Sequence, residues 1–137
     1  MLQDKKIGIW GASYGGATAG LALGYENIDE KIDFLIMDCP VSSMKWWCGN
    51  LINKLKLGFT YQDADVASGL KNVKTPVLII NSKSDMVTPY FMGKDIYDAI
   101  INNNKGIWTV DDSEHCEIWL DYNQEYGDKI DGFLKRY

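Results

Sequence analysis

Four short apolar segments constrain the fold of this chain more than any other feature of its sequence. They lie at residues 6–10, 33–37, 77–80 and 106–110, and their centres are continuously apolar instead of alternating apolar and polar residues. Strands that are buried on both faces have this character, and helix-like stretches separate the four segments. The sequence therefore predicts an α/β fold, with a parallel sheet of about four strands flanked by helices.

Helical signals fall in the intervals between these strands. Residues 13–23 predict a helix rich in alanine and glycine that stops near Gly24. Thr88 is suited to cap a second helix and Pro89 to occupy its first position, and this helix is predicted to run to about Ile101. The last helix is marked by one apolar face, which consists of Ile118, Tyr122, Tyr126, Ile130, Phe133 and Leu134.

One segment, residues 42–73, does not fit the alternation of strands and helices. Its leucines have helical spacing, and its aromatic residues are Trp46, Trp47, Phe59 and Tyr61. We interpret the segment as a lid-like insertion of one or two helices after the second strand. Trp46 and Trp47 are candidates for a substrate pocket in this lid. The alternative is that they only pack the insertion onto the body of the domain.

Composition narrows the classes of function. The formal net charge of −5 argues against a nucleic-acid partner held by phosphate contacts. No apolar run approaches the roughly 20 residues that span a bilayer, so we expect no membrane partner. The first six residues are polar and lead directly into a strand, which is not the pattern of a signal peptide.

The cysteines point to a reducing compartment. Cys39, Cys48 and Cys116 are odd in number and form no CxxC pair, so neither a disulfide framework nor a zinc site is expected. We therefore predict a cytoplasmic protein without a metal ion or organic cofactor. Cys116 is expected to be a small buried residue with no role as a nucleophile.

A serine lies inside a glycine cluster directly after the first strand. Gly11-Ala12-Ser13-Tyr14-Gly15 fits the pattern G-x-S-x-G between a strand and a helix. Glycines two residues before and after the serine let strand and helix approach closely around a strained backbone. The order of the glycines excludes a dinucleotide-binding motif, and the lack of a lysine excludes a phosphate loop. Ser13 is therefore a candidate nucleophile at the N-terminus of a helix, where N–H groups favour a developing oxyanion.

Two further polar residues follow strands in the same sheet. Asp85 follows the third strand, and His115, which is the single histidine of the chain, follows the fourth. Loops that follow parallel strands emerge at one edge of the sheet, so Ser13, Asp85 and His115 are predicted to share a rim. An imidazole between a hydroxyl and a carboxylate activates the hydroxyl for nucleophilic attack. Asp38, after the second strand, is the competing candidate for the acid.

These residues resemble the α/β-hydrolase family, from its nucleophile elbow onward. The elbow at Ser13, with a Ser-Tyr-Gly-Gly sequence similar to that of prolyl-oligopeptidase-like members, is followed by an acid segment at residues 75–89 and a histidine loop at His115. The chain departs from the family pattern where glycine is usual, at residues 81–82 and at Glu114. The resemblance implies that residues 1–137 form a partial α/β-hydrolase domain, the C-terminal half of that fold.

The resemblance also implies a function, a serine hydrolase acting on a carboxylic ester, amide, thioester or peptide bond. In this family the backbone N–H of the residue after the nucleophile, here Tyr14, is one oxyanion donor, and a loop after an earlier strand supplies the other. The chain then lacks several strands before the elbow, and the exposed edge of its first strand could pair with a second copy. We expect a truncated hydrolase with weak or no activity alone. The alternatives are a subunit completed by a partner, a non-catalytic remnant and a binding module on a hydrolase scaffold.

Overall fold

The computed structural model describes residues 5–25, 28–55 and 64–137. Their strands form one parallel four-stranded sheet, in the order β1-β2-β3-β4. The strands are β1 (Gly8–Ala12), β2 (Phe34–Asp38), β3 (Val77–Ser82) and β4 (Lys105–Val110). The parallel sheet predicted from the four apolar segments is confirmed. Each observed strand begins or ends within about two residues of its prediction.

Helices cover both faces of this sheet. The described helices are α1 (Tyr14–Tyr25), α2 (Met44–Leu55), α3 (Val66–Gly69), α4 (Tyr90–Ala99), α5 (Ile118–Asp121) and α6 (Asn123–Leu134), with a 3-10 helix at Asp29–Lys31. Leu35 and Met37 of β2 pack in a cluster with α1, α3 and α4, whereas Ile36 faces Ile118 and Phe133 of α5 and α6. Within the described ranges, no helix combines the length and apolar character that crossing a bilayer requires.

Strand β1 differs from its prediction. The sequence predicts a buried strand, but no residue of β1 is fully buried, and Trp10 is 58% exposed. The prediction is wrong because β1 lies at the edge of the sheet and pairs with β2 alone among the described strands. Strand β3, between two neighbours, is buried along its whole length.

The first helix ends at Tyr25, one residue after Gly24, as predicted. The reason for a glycine at this position is a contact between helices. A Cβ atom on Gly24 would collide with the backbone of Gly69 in α3. The glycine therefore permits the close approach of α1 and α3.

Two helix predictions change. Thr88 does not cap α4, which begins at Tyr90 and has no side-chain cap. The last predicted helix is two helices, α5 and α6, because Tyr122 leaves helical geometry with φ −121° and ψ 33°. The apolar face continues across the break, since Ile118, Tyr126 and Phe133 are all buried in one cluster.

The described part of the insertion contains α2 and α3. An antiparallel bridge joins Ser43, just before α2, to Asp65, just before α3. Asp65 Oδ1 accepts a hydrogen bond of 2.9 Å from the N–H of Ser68, which caps α3. Phe59 and Tyr61 lie outside the described residues, and the lid role stays a prediction.

Candidate active site

Ser13 occupies a sharp turn between β1 and α1. Its φ of 53° lies in the left-handed region, and its N–H donates a 2.8 Å hydrogen bond to the carbonyl oxygen of Asp38 at the end of β2. A left-handed non-glycine residue costs on the order of 1–3 kcal/mol and persists only where its surroundings impose it. The turn thus fixes the Ser13 side chain at the carboxyl edge of the sheet.

The close approach at this turn depends on Gly11 and Gly16. A Cβ on Gly11 would lie 2.5 Å from the carbonyl oxygen of Gly15, and one on Gly16 would lie 2.9 Å from that of Gly11. A Cβ on Gly15 would meet no atom of the described residues within 4 Å. The sequence pattern predicts that Gly11 and Gly15 both permit the close approach. In the structure Gly11 and Gly16 permit it, and Gly15 contributes only its backbone.

The structure brings together the three side chains that follow β1, β3 and β4. His115 Nε2 lies 2.9 Å from Ser13 Oγ, and His115 Nδ1 lies 2.7 Å from Asp85 Oδ2. The imidazole therefore bridges hydroxyl and carboxylate. Asp85 is buried, whereas the His115 side chain is 21% exposed, so the chain of three side chains runs from the interior to the surface.

The Asp85 carboxylate is held by its own loop. The N–H groups of Val87 and Thr88 each donate 2.8 Å hydrogen bonds to Oδ1, and Thr88 Oγ1 lies 2.9 Å from Oδ2. Burial alone raises the pKa of Asp85, but the hydrogen bonds from His115 and Thr88 outweigh it and leave the pKa below its usual value. Asp85 is thus an anion at neutral pH.

Thr88 is a residue of the site that the sequence pattern misassigns to a helix cap. Besides Asp85, its hydroxyl lies 3.0 Å from the carbonyl oxygen of Cys39 and 3.2 Å from His115 Nδ1. The same hydroxyl therefore contacts the acid, the histidine and the loop after β2. A threonine three residues after a candidate acid is the one signal in the sequence that could have identified it.

The charge on His115 is favoured by its neighbours. The hydrogen bond that His115 donates to Asp85, and after it the contact with Cys116, raises the pKa of His115 to about 10. The pKa of Cys116 is lowered to about 5, first by the hydrogen bond from Cys39 and then by that from His115. Cys116 beside Cys39 raises the pKa of the Cys39 thiol, and burial adds to this increase.

The acid loop and the histidine loop are tied to each other. Ser82 Oγ accepts hydrogen bonds from the N–H of Ser84 at 3.2 Å and of Ser113 at 3.1 Å. Ser84 Oγ also donates to the carbonyl oxygen of Asp111 at 2.9 Å. Ser82, one of the two positions where the α/β-hydrolase pattern could place glycine, therefore supplies a link between the two loops.

Asp38, the competing acid, has a different partner. Tyr126 donates a 2.6 Å hydrogen bond to Asp38 Oδ2, and Oδ1 is buried without a hydrogen-bond partner among the described residues. Burial raises the pKa of Asp38. The carboxylate that accepts a hydrogen bond from His115 is that of Asp85.

The remaining candidate residues lie around this edge. Tyr14 is the first residue of α1, where N–H groups have no acceptor within the helix. Trp47 Nε1 donates a 3.0 Å hydrogen bond to the carbonyl oxygen of Val87, next to the acid, and the Trp46 ring stands edge-on to Phe91 at 4.7 Å between centroids. These contacts pack α2 onto the acid loop and α4. A pocket role for the tryptophans stays a prediction.

Cys116 differs from its expected burial. The residue is half-buried and lines an open cavity of about 590 Å³ together with Trp10, Asp38 and Tyr126. Cys116 and Cys39 both have positive φ, of 60° and 46°. With Ser13, they are the three non-glycine residues of the described chain in that conformation.

Sequence comparisons place the chain among known proteins. The model of the prolyl oligopeptidase family matches residues 1–137. The uncharacterized protein YqkD of Bacillus subtilis strain 168 is 24% identical over 146 residues, which cover 93% of this chain and 47% of that protein. The chain therefore spans about half the length of this curated relative.

Solved structures share the fold at low identity. The esterase Pf2001 of Pyrococcus furiosus superposes with a TM-score of 0.75 at 19% identity, over 99% of this chain and 58% of that one. The acylaminoacyl peptidase of Pyrococcus horikoshii superposes with a TM-score of 0.64 at 21% identity, over 83% of this chain and 20% of that one. The four parallel strands and their helices are thus part of an α/β-hydrolase fold.

Proposed function

This chain belongs to the prolyl oligopeptidase family, and from that premise we propose that it carries the catalytic side chains of a serine hydrolase. Ser13 is the nucleophile, His115 the general base and acid, and Asp85 the residue that orients His115. The observation that carries the proposal is the continuous contact from Ser13 Oγ through both ring nitrogens of His115 to Asp85. The runner-up acid, Asp38, lacks that contact and is bound to Tyr126 instead.

In the proposed reaction, the neutral imidazole of His115 takes the proton of Ser13 through Nε2 as Oγ attacks an acyl carbonyl carbon. The buried Asp85 carboxylate accepts the hydrogen bond from Nδ1 and stabilises the imidazolium that forms. His115 then returns the proton to the leaving alcohol or amine, and an acyl-enzyme remains on Ser13. Water, activated by the same histidine, releases the acid.

The oxyanion of the tetrahedral intermediate needs N–H donors beside Ser13. We assign one donor to the backbone N–H of Tyr14, because the first turn of α1 directs free N–H groups to this edge. Losing one such donor lowers the rate by on the order of 10²–10³. If the second donor comes from outside the described residues, its presence or absence determines the activity of the isolated chain.

The proposal specifies the type of reaction and leaves the class of bond that is cleaved broad. The triad chemistry suits esters, thioesters, amides and peptides alike, because the nucleophile and base determine the reaction and not the acyl group. The structural neighbours named as an esterase and a peptidase are consistent with this range. We therefore propose an acyl substrate, either a small molecule or a peptide, and no cofactor.

Labelling with a fluorophosphonate probe tests the proposal. We expect one covalent adduct on Ser13, found by peptide mass spectrometry, and its loss in Ser13→Ala and in His115→Ala. Ser84→Ala is the matched control, because this serine also lies in a loop at the same edge but contacts the backbone of Asp111. Labelling that persists in Ser13→Ala would contradict Ser13 as the nucleophile, and no labelling of the protein isolated from its native source at any pH up to 10 would favour a binding module.

We also propose that the edge of β1 that pairs with no described strand pairs with another chain, a second copy in the case of the isolated protein. Ile7 and Trp10 are 49% and 58% exposed on and beside this edge strand. Exposed apolar edge strands are templates for pairing. Light scattering at micromolar concentration is expected to give dimers or larger species. If light scattering gives a monomer for the wild-type chain, and the same molar mass for Trp10→Lys, the proposal is contradicted.

A further inference from the structure

Two cysteines and the histidine of the active site form a compact cluster. One ligand atom from each of Cys39, His115 and Cys116 lies within 4.8 Å of the other two. Cys39 follows β2, and the other two residues follow β4, so the sheet edge brings together groups that are far apart in the sequence. Cys48, the third cysteine, lies in α2 and outside the cluster.

The cluster has the donor set of a site for a thiophilic divalent cation. Two thiolates and an imidazole are ligands that Zn²⁺ prefers, and tetrahedral bonds to them need separations of about 3.5–3.8 Å between ligand atoms. The ligand atoms lie up to 4.8 Å apart, so the longest separation must shorten by about 1 Å for one cation to bind all three. Cys116 lies on the wall of the open cavity, which gives an ion a route to the cluster.

A second observation points to the same place. Asp38, the residue before Cys39, is 3% exposed and lines the same cavity wall as Cys116. Its Oδ1 is buried and accepts no hydrogen bond from the described residues. Buried carboxylate oxygens normally have a partner. A water molecule bound to a cation in the fourth position is a donor of the right kind for it.

We propose that Cys39, His115 and Cys116 bind a thiophilic divalent cation, Zn²⁺ being the model, and that this binding switches off the Ser13–His115 pair. A cation binds these groups only in their deprotonated forms, so Cys39, His115 and Cys116 release to solvent the protons that they hold as two metal–sulfur bonds and one metal–nitrogen bond form, and no oxidant or reductant takes part. Both ring nitrogens are used in the contacts with Ser13 and Asp85. A cation on either nitrogen therefore breaks one of the two.

Titration of the 137-residue chain with Co²⁺ tests the site, with reductant present throughout. We expect the visible absorption bands of tetrahedral thiolate-bound Co²⁺, and their loss when Zn²⁺ is added. Cys116→Ser and Cys39→Ser are each expected to weaken Zn²⁺ binding at least tenfold. Losing a residue that only supports a metal ligand costs about 10–100-fold, and these substitutions remove ligands themselves. Cys48→Ser is the matched control and is expected to keep full binding. If the Co²⁺ bands persist in both Cys116→Ser and Cys39→Ser, or disappear in Cys48→Ser, the proposed site is wrong.

A second measurement does not depend on the variants folding. In the wild-type chain, Zn²⁺ is expected to slow alkylation of Cys116 by iodoacetamide at least tenfold, as read by mass spectrometry, and to leave Cys48 reactive. Equal protection of both cysteines, or of neither, contradicts the site. Protection that a chelator does not reverse indicates a disulfide and also contradicts it.

The switch rests on the proposed function, and its test separates the two. Saturating Zn²⁺ is expected to slow fluorophosphonate labelling of Ser13 at least tenfold in the wild type and in Cys48→Ser, with recovery after chelation. In Cys116→Ser the same Zn²⁺ concentration is expected to have little effect on labelling. Labelling that Zn²⁺ leaves unchanged overturns the switch. If the metal-free chain is not labelled at all, the switch fails for this chain, and the Co²⁺ bands still decide the site.

Discussion

Strands β1 and β3 each lead into a residue of the proposed triad, yet they hold that residue in opposite ways. Strand β1 has no fully buried residue, whereas all six residues of β3 are buried. Ser13, after β1, is held by backbone packing between glycines, while Asp85, after β3, is held by hydrogen bonds from Val87, Thr88 and His115. The nucleophile should therefore be sensitive to added volume and the acid to lost hydrogen bonds.

The largest effect is expected at the acid. Asp85→Asn keeps the shape of the side chain but cannot stabilise the imidazolium or hold the required tautomer of His115, and such a change lowers the rate by about 10⁴ in a triad of this type. The rate of Ser13 labelling by a fluorophosphonate is the measurement. Asp38→Asn, which keeps an acceptor for Tyr126, is the control and is expected to change the rate less than tenfold. Similar losses in both variants would restore Asp38 as the acid.

On the nucleophile side, Gly11→Ala should be the most damaging small substitution. The added Cβ would lie 2.5 Å from the carbonyl oxygen of Gly15, so strand and helix must separate. We expect a loss of about 3 kcal/mol in the free energy of unfolding, at the upper end of overpacking costs, and a loss of labelling. Urea unfolding followed by circular dichroism measures the first.

Gly15→Ala is the matched control for that substitution. Its Cβ would enter open space in the first turn of α1. The free energy of unfolding is expected to stay within about 1 kcal/mol or to rise, because alanine favours helix. Equal destabilisation by the two substitutions would show that the glycines serve backbone freedom and not close approach.

A smaller effect is expected when the Thr88 hydroxyl beside the acid is removed, and almost none when the Thr18 hydroxyl in the helix after the nucleophile is removed. Thr88→Val deletes the hydroxyl that contacts Asp85, His115 and Cys39, and should slow labelling about tenfold, the equivalent of one hydrogen bond. Thr18→Val, which deletes an exposed hydroxyl bonded to the carbonyl oxygen of Tyr14, should change the rate less than twofold. Equal effects would mean that the hydroxyl of Thr88 does not position the acid.

The smallest expected effect is a shift in pH dependence. The base form of His115 must react, and its pKa is raised to about 10, so labelling in the metal-free chain should rise with pH up to about that value instead of levelling off near 7. Cys116→Ser removes one contact that favours the imidazolium, so its profile should level off at lower pH. Profiles that coincide would show that Cys116 does not influence His115.

Periodicity and strand order made much of this arrangement predictable. Four apolar segments define the parallel sheet, and residues after parallel strands must meet at one edge, so the closeness of Ser13, Asp85 and His115 follows from topology. The break at Tyr122 does not follow, because the apolar face is continuous through it and only the backbone angles change. The exposure of β1 does not follow from the apolar segment, which does not reveal whether it has neighbours on both sides, and only the resemblance to the α/β-hydrolase fold implies an exposed edge here.

Contacts between distant loops are the other part that the sequence does not contain. Cysteine spacing excludes a local metal motif, but Cys39 and Cys116 meet through the folding of the sheet and not through spacing. Thr88 matches a helix cap in the sequence because its neighbour is Pro89, and only the structure shows its hydroxyl turned toward Asp85 and Cys39. Such cross-loop contacts depend on side-chain direction, which a pattern of residue types does not specify.

The three left-handed residues, Ser13, Cys39 and Cys116, have a consequence for any attempt to make this protein thermostable. Each backbone conformation of this kind costs on the order of 1–3 kcal/mol, and glycine would relieve most of it. A search guided by melting temperature alone would thus favour glycine at these positions. Selection for heat resistance and selection for chemistry should therefore diverge first at these three positions.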